Sequence, residues 1–219
     1  MSAPRHIIFD LDGTLIDSAA AILAGYRAAF AACGVTPARA LDASIIGPPM
    51  AEILRQLTGQ SDSSTIEKLA AAFKAGYDST GYLQTRAYPG IDELLGALRA
   101  AGRVLHLATN KRIVPTRLIL DHFGWHDHFD AIYALDLFTP RLADKTSMIA
   151  RLLADRRIAA NDAIYVGDRA EDAQAATANQ LPFAAATWGY GCLTPDMIDA
   201  RWHTAATPQA LARLLLGDA

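Results

Sequence analysis

The 219-residue sequence predicts an α/β fold, a parallel sheet covered on both faces by helices and carrying a helical insert. Three observations predict it. Short apolar runs of strand length recur along the chain. Helical patterns lie between most of them. Three of the runs end on a polar or acidic residue. Alternating strands and helices favour a parallel sheet, whose strands are buried on both faces and read as continuous apolar runs. In such a sheet the ligand crevice lies beyond the carboxyl ends of the strands.

The apolar runs are 6–9, 104–108, 131–135, 163–166 and 183–187. Asp10 closes the first, Thr109-Asn110 the second and Gly167-Asp168 the fourth. Residues far apart in sequence are thus expected at one sheet edge. Between the first and second runs the pattern turns helical. Ser18 is placed to cap a helix reaching Cys33, with Gly34 as its stop. Further helical stretches are expected over 50–57 and 62–77, separated from the first by the breaker Gly47-Pro48-Pro49. Tyr88-Pro89-Gly90 marks a turn back, and 91–101 reads as a helix. Residues 16–86 are therefore expected to form an insert on a core made of 1–15 and 87–219.

About half of the residues are apolar, enough for a sizeable core. The formal charge of -3 offers no electrostatic reason to expect a nucleic-acid or membrane partner. Two cysteines, Cys33 and Cys192, imply no disulfide framework. An acidic motif begins by Asp10, which leaves no room for a secretory apolar region, so a cytoplasmic location is expected. Only four of the twenty basic residues are lysine, and two of these, Lys111 and Lys145, fall where a compact positive charge is useful.

Asp10 and Asp12 stand two residues apart at a strand end, so both carboxylates can reach one pocket. Gly13 allows a sharp turn there. Asp168 closes another strand, where it is also placed to cap the following helix, and Asp172 follows one helical turn later. Carboxylates gathered at one edge call for a cation, and oxygen ligands favour Mg²⁺ or Ca²⁺. Thr109 adds a hydroxyl, neighbouring backbone N–H groups can hold phosphate, and Lys145 adds a point charge. Together these supply a nucleophile, an acid/base, a metal and oxyanion donors, as phosphoryl transfer requires.

With Asp10-Leu11-Asp12-Gly13-Thr14-Leu15, Ala108-Thr109-Asn110-Lys111, Lys145 and Gly167-Asp168-Arg169-Ala170-Glu171-Asp172 in that order, the chain resembles the haloacid dehalogenase superfamily, in its phosphoglycolate-phosphatase-like branch. The resemblance implies a Rossmann-like core with an inserted α-helical cap over 16–86. It also implies a Mg²⁺-dependent phosphatase for a small phosphorylated metabolite. Asp10 would attack phosphorus and form an aspartyl-phosphate. Asp12 would protonate the leaving oxygen and then activate water. Thr109, Asn110 and Lys145 would bind the phosphoryl oxygens. Mg²⁺ would be held by the Asp10 carboxylate, the Asp12 backbone carbonyl and Asp168, with Asp172 in support.

Thr146, Arg169, Ala170 and Asn179 depart from residues common in the family, without removing a catalytic group. Lys111 is open between the pocket mouth and solvent, and Gly47-Pro48-Pro49 between a simple kink and a substrate-facing loop. His122, His126 and His128 form the densest histidine group, but Gly124 and Trp125 interrupt the helical face a metal would need. There are four rival functions. One is a response-regulator receiver domain, which is far shorter, lacks the helical insert and has its acid pair a whole helix and strand before the phosphorylated aspartate. Asp12 weighs against a dehalogenase, which needs no second aspartate. A phosphomutase of the same fold would share every core residue. A non-catalytic phosphate-binding scaffold would be expected to have lost a motif aspartate. The particular ester and the oligomeric state are not legible.

Overall fold

A computed structural model describes residues 4–59, 62–191, 193 and 199–217. Cys192, Gln60-Ser61 within the expected insert and both ends of the expected core lie outside the described residues.

Six strands form one sheet in the order β5-β4-β1-β6-β7-β8, every neighbouring pair parallel. They are β1 (His6–Phe9), β4 (Val104–Thr109), β5 (Phe129–Ala134), β6 (Ala163–Gly167), β7 (Phe183–Ala186) and β8 (His203–Ala205). The fold is α/β, as the alternating pattern predicts. β1 lies inside the sheet between β4 and β6, and its run is apolar on both faces. Ile7 and Phe9 enter one core and Ile8 the other, in keeping with the two-residue period of a strand. The first core gathers α4 (Ile91–Ala100), α5 (Ile113–Phe123) and α8 (Pro208–Leu216). The second gathers α6 (Lys145–Arg156) and α7 (Ala170–Ala178).

β8 and α8 are absent from the expected elements. The strand is only three residues long and buries Ala205 alone, so no apolar run announces it. The helix carries a clearer signal: Thr207 accepts from Ala210 N, Pro208 stands in the first turn and Gly217 ends it.

Between β1 and β4 the chain builds α1 (Ala19–Cys33), α2 (Met50–Thr58) and α3 (Ser63–Tyr77). These bury a third cluster of their own, with Tyr26, Phe30, Ile46, Leu54, Leu69 and Phe73 among its members. An antiparallel pair, β2 (Ile16–Asp17) with β3 (Arg86–Ala87), ties the two connections together where the helical segment leaves and rejoins the sheet. Asp62 caps α3 by accepting from Ser64 N and Thr65 N, and Gly34 closes α1 in the left-handed conformation. Ser18 occupies the position before α1, but its hydroxyl does not cap the helix. It is turned toward Asp12 instead. Among the described residues no helix is long and apolar enough to cross a membrane.

Candidate active site

The carboxyl edges of β1, β4 and β6 deliver Asp10, Thr109 and Asp168 to one place, as strand order and parallel register require. Asp10 follows β1, and its backbone N–H donates to Val166 O of β6 at 2.9 Å. The turn after it depends on glycine. Gly13 has φ +86°, and a Cβ there would stand 2.1 Å from Asp168 Oδ2. Only a residue without a side chain lets this loop lie against Asp168.

Asp10, Asp168 and Asp172 are all buried, and each offers one oxygen within 4.8 Å of the others. Neither Asp168 oxygen has a hydrogen-bond partner among the described residues. Burial, then the Asp172 and Asp10 carboxylates, pushes Asp168 up to about 8. Asp10 rises to about 6, chiefly by burial, with the Lys145 ammonium pulling the other way. A bare set of acids in this position is costly to ionise, and a hard divalent cation with oxygen ligands would remove that cost. The donor set fits such an ion. Among the described residues this is the cluster able to hold a metal, and His122, His126 and His128 are not part of it. His126 instead faces Asp121 on the surface, 3.2 Å away.

Asp168 does not cap the following helix. Arg169 holds the capping position, and the first turn is closed from within by Asp172. Its Oδ2 accepts from Asp168 N at 3.1 Å and Arg169 N at 3.0 Å. Its Oδ1 accepts from Lys145 Nζ at 2.5 Å. Both oxygens of Asp172 are thus committed to holding the site together.

Lys145 is the first residue of α6. Asp144 caps that helix by accepting from Ser147 N at 2.7 Å, and Ser147 Oγ donates back to Asp144 O. The cap fixes where Lys145 leaves the backbone. Its Nζ reaches Asp10 Oδ1 at 3.1 Å as well as Asp172. Burial alone would depress the lysine, but the Asp10 and Asp172 carboxylates hold it well above its ordinary value. Thr109 is buried beside them and accepts from Lys111 N at 3.2 Å.

Asp12 belongs to a second set. Lys111 Nζ donates to its two oxygens at 2.9 and 3.2 Å, and Ser18 Oγ donates to Oδ1 at 2.5 Å. Ser18 Oγ also lies 3.1 Å from Tyr190 Oη. Lys111 therefore lines the pocket, its side chain nearly buried. Ser18 and Tyr190 were not legible as site residues, since they meet only through tertiary contact across 172 positions.

The helical segment closes over this edge. Asn110 Nδ2 donates to Gly47 O at 3.0 Å, which draws Gly47-Pro48-Pro49 over the site. Gly47 has φ +125°, and a Cβ there would meet the Arg169 guanidinium at 2.7 Å. Arg112 grips Asp78, just past α3, through both carboxylate oxygens. Gly47 and Pro48 line the resulting cavity with Asp10, Asp12, Thr109, Asn110 and Lys111.

Residues 7–186 match the family described as haloacid dehalogenase-like hydrolase. Tyrosine-protein kinase PtkA of Mycobacterium tuberculosis is 37% identical over 209 residues, 95% of this chain and 70% of that protein. A 5'-nucleotidase of Pseudomonas aeruginosa is 34% identical over 96% of this chain and 95% of its own length. A phosphoglycolate phosphatase of Xylella fastidiosa is 34% identical over 85% of this chain and 82% of its own. Among solved structures, a predicted phosphatase from Clostridium acetobutylicum superposes with a TM-score of 0.85 at 28% identity, covering 99% of this chain and 100% of that one.

Proposed function

The chain belongs to the haloacid dehalogenase-like hydrolases, and from that membership we propose that it hydrolyses a small phosphate monoester through an aspartyl-phosphate on Asp10. It is a phosphoric monoester hydrolase by its likeness to relatives named 5'-nucleotidase and phosphoglycolate phosphatase, which align over most of its length. The single observation that carries the mechanism is the position of Asp10, buried at the sheet edge with Lys145 Nζ at 3.1 Å and Asp12 two residues on.

In the first half-reaction an Asp10 oxygen bonds to phosphorus while the bond from phosphorus to the ester oxygen breaks. Asp12, as the acid, gives its proton to the departing oxygen. In the second, Asp12 takes a proton from water as that oxygen attacks phosphorus. The acyl phosphate bond breaks, and phosphate and the Asp10 carboxylate are released. Thr109, Asn110 and Lys145 hold the equatorial oxygens, where positive charge and donors matter most. Lys111 and Ser18 orient Asp12.

Mg²⁺ suits the donor set. Asp10, Asp168 and the Asp12 backbone carbonyl would hold it, with Asp172 supporting from behind. When bound, it supplies neutralising charge to the phosphoryl oxygens. Segment 16–86 acts as a cap on the core of 1–15 and 87–219 and shields the site from water.

The name of the mycobacterial relative raises transfer to a tyrosine hydroxyl as a second reading. Purified protein with Mg²⁺ and an aryl phosphate, without any acceptor, distinguishes them. Free phosphate released at catalytic rate, and lost with EDTA, supports hydrolysis. Turnover that requires a protein acceptor supports transfer.

A further inference from the structure

We propose that the ester accepted at Asp10 has an uncharged, largely apolar leaving group no larger than about one ring, and that a second anionic group on the substrate is disfavoured. This rests on the phosphatase reading and names its substrate class.

The cavity over Asp10 is about 60 Å³. On the scale on which one water needs at least roughly 10–15 Å³ that space is small, so only a compact leaving group is enclosed together with the phosphate. The core side of the cavity is polar and would take the phosphate. The facing wall, where the leaving group must lie, comes from the helical segment and is formed by Ile22, Tyr26, Ile46, Met50, Phe73 and Tyr77. Three of these rings stack in series, Tyr26 on Phe73 at 4.4 Å and Phe73 on Tyr77 at 5.2 Å between centroids. Such a wall favours flat apolar groups.

The charges in the lining point the same way. Its two cations are both engaged, Lys111 by Asp12 and Arg112 by Asp78. Asn110 has its amide nitrogen on Gly47 O, and its Oδ1 is a buried acceptor with no partner among the described residues. A carboxylate on the leaving group would meet Asp10, Asp12 and this acceptor, and could draw on Lys111 or Arg112 only by breaking an existing ion pair. An uncharged ring breaks none. A hydroxyl or amine on it would give Asn110 Oδ1 the donor it lacks.

The test uses the wild-type protein with Mg²⁺ and two matched pairs of probes. Phenyl phosphate and 2-phosphoglycolate are compared by kcat/KM, and phenylphosphonate and phosphonoacetate by calorimetric binding. The ring compound is expected to lead at least ten-fold in each pair. Equal or better turnover or binding of the carboxylate compound overturns the proposal, as does failure of both phosphonates to bind. If phenylphosphonate binds at least ten-fold tighter but no ester is hydrolysed, the phosphatase reading fails and the assignment of the pocket stands. Met50→Lys places a cation on the wall at a half-exposed position. It is expected to shift the kcat/KM ratio at least ten-fold toward 2-phosphoglycolate, and an unchanged ratio counts against the proposal.

Discussion

Lys145 and Asp172 form a buried ion pair, Nζ lying 2.5 Å from Oδ1, and the same ammonium reaches Asp10 Oδ1 at 3.1 Å. The lysine links the expected nucleophile to the residue that closes the first turn of α7. Removing it leaves two buried carboxylates without their cation. Lys145→Met is expected to cost about 3–5 kcal/mol of stability, the usual penalty for breaking a buried pair from one side. It should also lower kcat/KM by at least ten-fold. Urea unfolding and steady-state kinetics measure the two effects, and unchanged stability would show that the pair is not a structural tie.

Asp10→Asn should separate chemistry from folding. The substitution removes a nucleophile, for which losses of about 10⁴-fold or more in kcat are usual. It also removes one charge from a crowded acid cluster, where burial already raises Asp10 to about 6. The variant is expected to melt at or above the wild-type temperature while turnover disappears. Undiminished turnover would sink the assignment of Asp10.

Asp168 has two buried oxygens without a partner among the described residues, so a bound cation should stabilise the fold by linkage. At about 100-fold over its Kd, Mg²⁺ should add roughly 2.7 kcal/mol. For a chain of this size that is a rise of about 5–10 °C in Tm. Asp168→Asn should abolish the rise and the activity together. A Tm indifferent to Mg²⁺ and EDTA in the wild type would argue against a metal at this cluster.

Arg112 and Asp78 join the sheet edge to the end of α3. Asp78→Ala is expected to cost about 1–3 kcal/mol, since a charged hydrogen-bonded group loses its partner. It also frees Arg112 at the rim of the cavity, so KM for 2-phosphoglycolate should fall relative to that for phenyl phosphate. An unchanged ratio of the two KM values would mean that Arg112 does not reach the leaving group.

His106 predicts an acid-sensitive core. It is buried in β4 with His6 stacked on it at 5.4 Å and His6 Nδ1 3.1 Å from its Nε2. Asp130, Asp162, Arg5 and Arg156 supply the surrounding charge. Burial, then His6, lowers His106 to about 4 from 6.5. The unfolded chain therefore binds the proton at higher pH than the folded one. The stabilisation is fully present above about pH 6.5 and is lost as pH falls toward 4, by up to roughly 3 kcal/mol. His106→Phe should flatten the fall in Tm between pH 7 and 5. An equal fall in wild type and variant would place the acid sensitivity elsewhere.

How much of this was legible follows the range of the interactions. Local pattern determined the α/β class, the five longer strands, the turn at Gly13 and the gathering of Asp10, Thr109 and Asp168 at one sheet edge, while the roles expected of Asp10, Asp12, Thr109, Lys145 and Asp168 came from the family resemblance. Short continuous apolar runs suit strands of a parallel sheet covered on both faces, and acids at strand ends collect at one edge of such a sheet. Tertiary structure decided the rest. It turned Ser18 away from helix capping and onto Asp12, brought Tyr190 to it, committed both oxygens of Asp172 to Lys145 and backbone N–H groups, and left Asp168 free. It also set an apolar wall opposite the nucleophile and occupied both nearby cations. A polar side chain with several possible partners takes the one that packing brings within about 3 Å, and that choice depends on elements a hundred residues away.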